Sequence, residues 1–107
     1  MHGQERRESP RFPFVVAVKQ QSDETMVLCQ SENISHSGMS LRLPAETVAL
    51  HSKRVGLQFT LPGSEILLEL KARVVRFRKG ARFARAGVRF EGVETRFHHL
   101  LARYLPG

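Results

Sequence analysis

The sequence has no tryptophan, one tyrosine, one cysteine and no long apolar run, and each shortage excludes something. With Cys29 alone, neither an intramolecular disulfide nor a cysteine-based metal cage can form, and its alternating apolar neighbourhood reads as a buried thiol. A membrane span needs roughly 18 or more apolar residues in a row. None occurs, so no membrane insertion is expected. The opening MHGQERRESPR is charged and lacks the apolar centre of an export signal, so a cytoplasmic location is expected. Acidic residues are also in short supply, 10 against 17 basic, for a formal charge of +7 that favours anionic partners.

Catalytic signatures are missing too. No paired carboxylates, nucleophile elbow or glycine-rich phosphate loop is present, and Glu65, Glu69, Glu91 and Glu94 read as solvated strand and turn residues. His2, His36 and His51 fall in separate loops, while the adjacent His98 and His99 diverge by about 100° on a helix. Neither a metal site, a cofactor nor an enzyme is expected.

What is present is enough for one packed domain: 107 residues, 41% of them hydrophobic, including seven phenylalanines. Residues 1–12 read as a flexible basic arm, with Arg6, Arg7 and Arg11 crowded around Ser9 and Pro10, and residues 13–107 as the folded domain. Strand patterns follow at 14–20, 25–31 and 38–43, the last two separated by NISHSG, whose residues bond readily to their own backbone. Met39, Leu41 and Leu43 share one face, as do Val55, Leu57, Phe59 and Leu61.

A long strand then places Ile66, Leu68, Leu70, Ala72 and Val74 inward. Strict alternation beyond Val74 would bury Arg76 and Arg78, so a bulge or strand end is expected near Val75, with Phe77 resuming the inward face. Ala84, Ala86, Val88 and Phe90 line a last strand. The period then changes, and Val93, Phe97, Leu100, Leu101, Tyr104 and Leu105 form a helical stripe. The reading is mainly β: a small six-stranded antiparallel β-barrel with a C-terminal α-helix.

Two further features are chemical. The arm contains Arg7-Glu8-Ser9-Pro10-Arg11, and the corner after the second strand reads Asn33-Ile34-Ser35-His36-Ser37-Gly38. An Arg-x-x-x-Arg arm followed, one hairpin later, by Asp/Asn-x-Ser-x-x-Gly resembles the signature of the PilZ family, whose barrel-plus-helix outline matches almost the whole chain. The resemblance implies a sensor for cyclic di-GMP rather than an enzyme, acting through an unidentified protein effector. By the same resemblance, Arg7 and Arg11 would clamp phosphate and the guanine O6/N7 edge, and Asn33 would meet the other base edge. Ser35 would bond near a phosphate, and Gly38 would let the backbone turn or approach closely.

The chemistry suits such a ligand, since a guanidinium offers both a donor fork for phosphate or guanine and a flat face for stacking. Asn33 in place of an Asp presents one carbonyl acceptor where a carboxylate has two oxygens, so a weaker or rearranged guanine contact is expected. Arg6, directly before the motif, is the kind of residue that in this family accompanies two bound cyclic di-GMP molecules rather than one. The eight basic residues between Leu70 and Phe90 leave a second reading open. With Phe77, Phe83 and Phe90 interleaved among arginines, a barrel binding single-stranded nucleic acid has the right composition, although alternation wants Phe90 and Phe77 for the core. A PilZ-like scaffold that binds no nucleotide is a third.

Overall fold

A computed structural model of the chain describes residues 11–23, 25–48 and 53–104. Among these residues seven strands and one helix follow in order: β1 (Phe12–Pro13), β2 (Ala17–Ser22), β3 (Thr25–Ile34), β4 (Gly38–Pro44), β5 (Arg54–Thr60), β6 (Leu67–Lys79), β7 (Phe83–Glu91) and α1 (Thr95–Ala102). All pairings are antiparallel. The order β3-β2-β5-β6-β7-β4 is closed by β4 returning to β3, giving a six-stranded barrel, and β1 adds a short extra rung on β3.

The inward positions follow the period of two. Met39, Leu41, Leu43, Val55, Leu57, Phe59, Leu61, Ala72, Val74, Ala84, Ala86 and Val88 are all buried in one core, as alternation requires. The register of β6 on β7 slips between Val74 and Arg76, so a bulge at Val75 keeps Arg76 and Arg78 in solvent and returns Phe77 to the core side. Helix α1 packs onto the barrel through Phe97 and Leu101, with the Phe97 ring edge-on to Phe90 at 5.5 Å.

Four local readings change. The strand expected at 14–20 is divided: β1 ends at Pro13, residues 14–16 are irregular, and β2 begins at Ala17. At buried Ser31 the Oγ accepts from Val16 N at 3.0 Å and donates to Phe14 O at 2.6 Å in place of two ladder bonds, while Phe14 N still donates to Glu32 O and Ser31 N to Val16 O. Ile66, expected inward, is exposed because it precedes the ladder, its N–H donating to Ser64 Oγ at 3.1 Å. Cys29 is half-buried, and burial pushes its thiol up to about 12. Glu91, expected to be solvated, holds Arg73 at 3.2 Å and Arg54 at 3.3 Å.

Of the expected arm, only Arg11 and Phe12 fall among the described residues, and Phe12 already belongs to β1. Among the described residues no helix is long and apolar enough to cross a membrane.

Candidate functional site

Strand β1 carries the end of the arm onto the barrel. Phe12 pairs with Ile34 and Pro13 with Asn33, which sets Arg11 beside the last residues of β3. There Arg11 Nη1 donates to Asn33 Oδ1 at 2.9 Å. Two residues separated by 22 positions thus meet through one short rung. Arg6 and Arg7 lie outside the described residues.

The corner between β3 and β4 is built by Ser35. Its N–H donates to Gly38 O at 2.8 Å, and its Oγ accepts from the N–H groups of Ser37 and Gly38, each at 3.2 Å. The hydroxyl is almost fully buried and contacts Ser37 Oγ at 3.2 Å. Its first task is therefore to hold the turn, a common use of serine. Gly38 follows in register with Arg89 on β7, and a Cβ there would lie 2.1 Å from Val88 O. Close approach of two backbones demands the glycine. A left-handed φ does not, since among the described residues the positive-φ glycines are Gly63 and Gly92.

The barrel's outer face extends the site in a direction that sequence reading missed. Across β3, β4, β7 and β6 the partners run Asn33, Ser40, Gly87 and Arg76, a row whose middle members are small. On one side the row Arg42, Arg85 and Arg78 borders it, and on the other lie Arg89 and Arg73. Some of these cations are already neutralised. Glu32, the residue that bulges out of the β3–β4 register, takes Arg85 in a fork at 3.0 and 3.3 Å and Arg42 at 3.4 Å. Arg76, Arg78 and Arg89 make no ion pair with a described carboxylate. The result is a shallow floor beside Arg11 and Asn33 with fixed positive charge around it, suited to a flat anion. The signal for Arg76, Arg85 and Arg89 was the acid-free stretch 70–90. Their placement on the same face as Asn33 depends on strand register, which has no local signature.

The aromatics needed for stacking single-stranded bases are placed otherwise. Phe90 is buried, Phe77 packs against the core, and half-buried Phe83 has the Arg42 and Arg85 guanidiniums over its ring at 4.4 and 4.9 Å. On the other side of the corner, the His36 ring lies 5.6 Å from that of His98, so helix α1 touches the same turn.

The chain is thus a closed six-stranded barrel with a C-terminal helix, on which Arg11 meets an Asn-x-Ser-x-x-Gly corner. The family model described as PilZ domain matches residues 5–107, and the chain belongs to that family. Among solved structures it is similar to the Bacillus subtilis inhibitor of motility MotI/DgrA, with a TM-score of 0.77 and 20% identity over 92% of this chain and 48% of that one. The chain thus spans about half the length of that protein. It is also similar to the PilZ domain of Escherichia coli YcgR, solved with c-di-GMP, with a TM-score of 0.77 and 16% identity over 92% of this chain and 88% of that domain. The PilZ domain of CeSA from a cellulose-synthesizing bacterium aligns with a TM-score of 0.67 and 19% identity, covering 90% of this chain and 94% of that one. At these identities the likeness is one of fold. No curated protein matches the chain.

Proposed function

We propose that this chain is a receptor domain for cyclic di-GMP, and that its arm closes over the ligand and alters the surface offered to a protein effector. The observation that carries this reading is the contact between Arg11 and Asn33, one residue from each half of a complete PilZ motif. A receptor for a dinucleotide with two phosphates and two guanines needs guanidinium forks, a polar reader of a base edge and a floor that admits a flat ring. Arg7 and Arg11 supply the forks, Asn33 the reader, and Ser40 with Gly87 the floor. Ser35 and Gly38 act mainly by holding the corner from which Asn33 projects.

The Arg11–Asn33 bond occupies a donor and an acceptor that the ligand would use. Binding therefore exchanges this contact for contacts to phosphate and guanine, and the exchange is what couples occupancy to the arm. That the YcgR domain was solved with c-di-GMP supports the ligand class.

Calorimetric titration with cyclic di-GMP, with GTP and a short single-stranded oligonucleotide as competitors, tests the reading. Selective binding of the cyclic dinucleotide is expected. Binding of the oligonucleotide alone, collapsing as salt rises, would replace it with a nucleic-acid function. Absence of binding to all three would leave a protein-binding scaffold.

A further inference from the structure

Strands β3 and β4 pair over only part of their length. Their register runs from Ile34 and Met39 to Gln30 and Arg42 and stops there. Beyond it β4 continues along β7 as far as Pro44, whereas β3 runs along β2 to the hairpin at Ser22 and Thr25. The strands splay, and a cleft of about 670 Å³ opens between the hairpin and the segment after β4, lined by Met26, Val27, Leu28, Pro44, Thr47 and Val48 among others.

Three observations make this seam more than a surface irregularity. The N–H of Ser31 donates to Val16 O, on the β2 side, so by alternation Met26 and Leu28 turn their N–H and C=O groups the other way, toward the cleft. No described strand pairs with them there, leaving a stretch of open edge. Apolar side chains gather beside this edge: Met26, Leu28 and Val48 are 57%, 68% and 72% exposed on a strongly basic protein. The floor of the cleft includes Gln20, only 1% exposed, whose Nε2 and Oε1 both lack a hydrogen-bond partner among the described residues. A buried carboxamide with neither group paired is costly, and a native fold rarely keeps one.

We propose that this seam docks an extended peptide segment of a partner protein, which pairs with β3 at Met26 and Leu28 as an added strand. The edge presents donors and acceptors at two-residue spacing, and an extended polypeptide matches that spacing. Alternate side chains of the added strand then have different surroundings. Those facing outward lie beside Met26, Leu28 and Val48 and are apolar, and the one facing inward carries a hydroxyl or carboxamide for Gln20. Strand β3 joins the two functions physically, with Asn33 near one end and the open edge at the other. The residues lining the seam do not include Arg11, Asn33, Ser40, Gly87 or Arg76, so the proposal does not depend on the ligand assigned above.

The test is amide hydrogen exchange by NMR on the whole chain, with and without a capped heptapeptide that alternates valine and threonine between terminal lysines. In the free protein, Met26 and Leu28 amides exchange faster than those of Val27 and Cys29, and saturating peptide slows them at least about tenfold. N-methylation of the peptide's central amides abolishes the effect. The variant Gln20→Leu weakens binding of this peptide about tenfold and strengthens that of an all-valine peptide. Unchanged exchange, or equal binding of the N-methylated peptide, overturns the proposal. Concentration-dependent protection of Met26 and Leu28 without peptide also overturns it, because the edge then belongs to a second copy of the chain.

Discussion

A side chain at position 38 would have to displace the carbonyl of Val88, because the nearest atom to a Cβ there is backbone and not a movable side chain. Gly38→Val is therefore expected to cost roughly 1–3 kcal/mol or more of stability as an overpacked contact. It should weaken cyclic di-GMP binding as well, since the corner presents Asn33. Arg11→Ala should behave in the opposite manner: an exposed hydrogen bond contributes little to stability, but loss of a desolvated phosphate partner costs about 2–5 kcal/mol of affinity. Thermal melts and calorimetry on the two variants separate a residue that builds the site from one that fills it. A large drop in the melting temperature of Arg11→Ala would make the arm structural. Cys29 gives a further residue-scale expectation. Burial raises its thiol from 9.0 to about 12, so between those pH values the folded chain keeps a proton that the unfolded chain releases. Stability must fall with rising pH across that window, and Cys29→Ala should fall less steeply there. Melting temperatures at pH 8, 9, 10 and 11 for both proteins check the sign.

At the scale of the strand, Ser31 shows why part of the fold could be read from sequence and part could not. Alternation placed the inward faces of β4, β5 and β7 and the bulge at Val75, because burial of a guanidinium or exposure of a valine row is a local cost visible residue by residue. The break at residues 14–16 has no such mark, since a hydroxyl on another strand takes the place of two of their ladder bonds. The same limit applies to the site. The motif itself pointed to Arg11 and Asn33, whereas Ser40, Gly87, Arg76 and Glu32 join them through register set elsewhere in the barrel. Ser31→Ala tests whether this hidden tie matters to function. It leaves Phe14 O and Val16 N without their hydroxyl partner, at an expected cost of about 1–3 kcal/mol. Because the released segment leads from β1 to β2, affinity for cyclic di-GMP should drop although no ligand contact is removed. Lost stability with unchanged affinity would show that β1 alone positions Arg11.

On the whole molecule, charge decides how much ligand can be held. Two cyclic di-GMP molecules bring four phosphate charges into one place, and like charges at close range repel strongly unless fixed cations offset them. The face beside Arg11 holds Arg76, Arg78 and Arg89 without a described carboxylate partner, while Glu32 and Glu91 already neutralise their neighbours. The sequence has two more guanidiniums, Arg6 and Arg7, shortly before Arg11 and outside the described residues. With a chain charge of +7 there is no general electrostatic obstacle to a second ligand, and the specific requirement is a fork at the arm for the added phosphates. Two ligands per chain are therefore expected at saturation. Arg6→Leu should reduce the calorimetric endpoint from two to one and leave the first binding step nearly intact, since Arg7, Arg11 and Asn33 are unaltered. Arg76→Ala, placed beyond the small floor, should weaken binding without changing the count if that residue supplies field and not a direct contact. A wild-type endpoint of one ligand per chain would remove Arg6 from the site and leave the receptor reading in place.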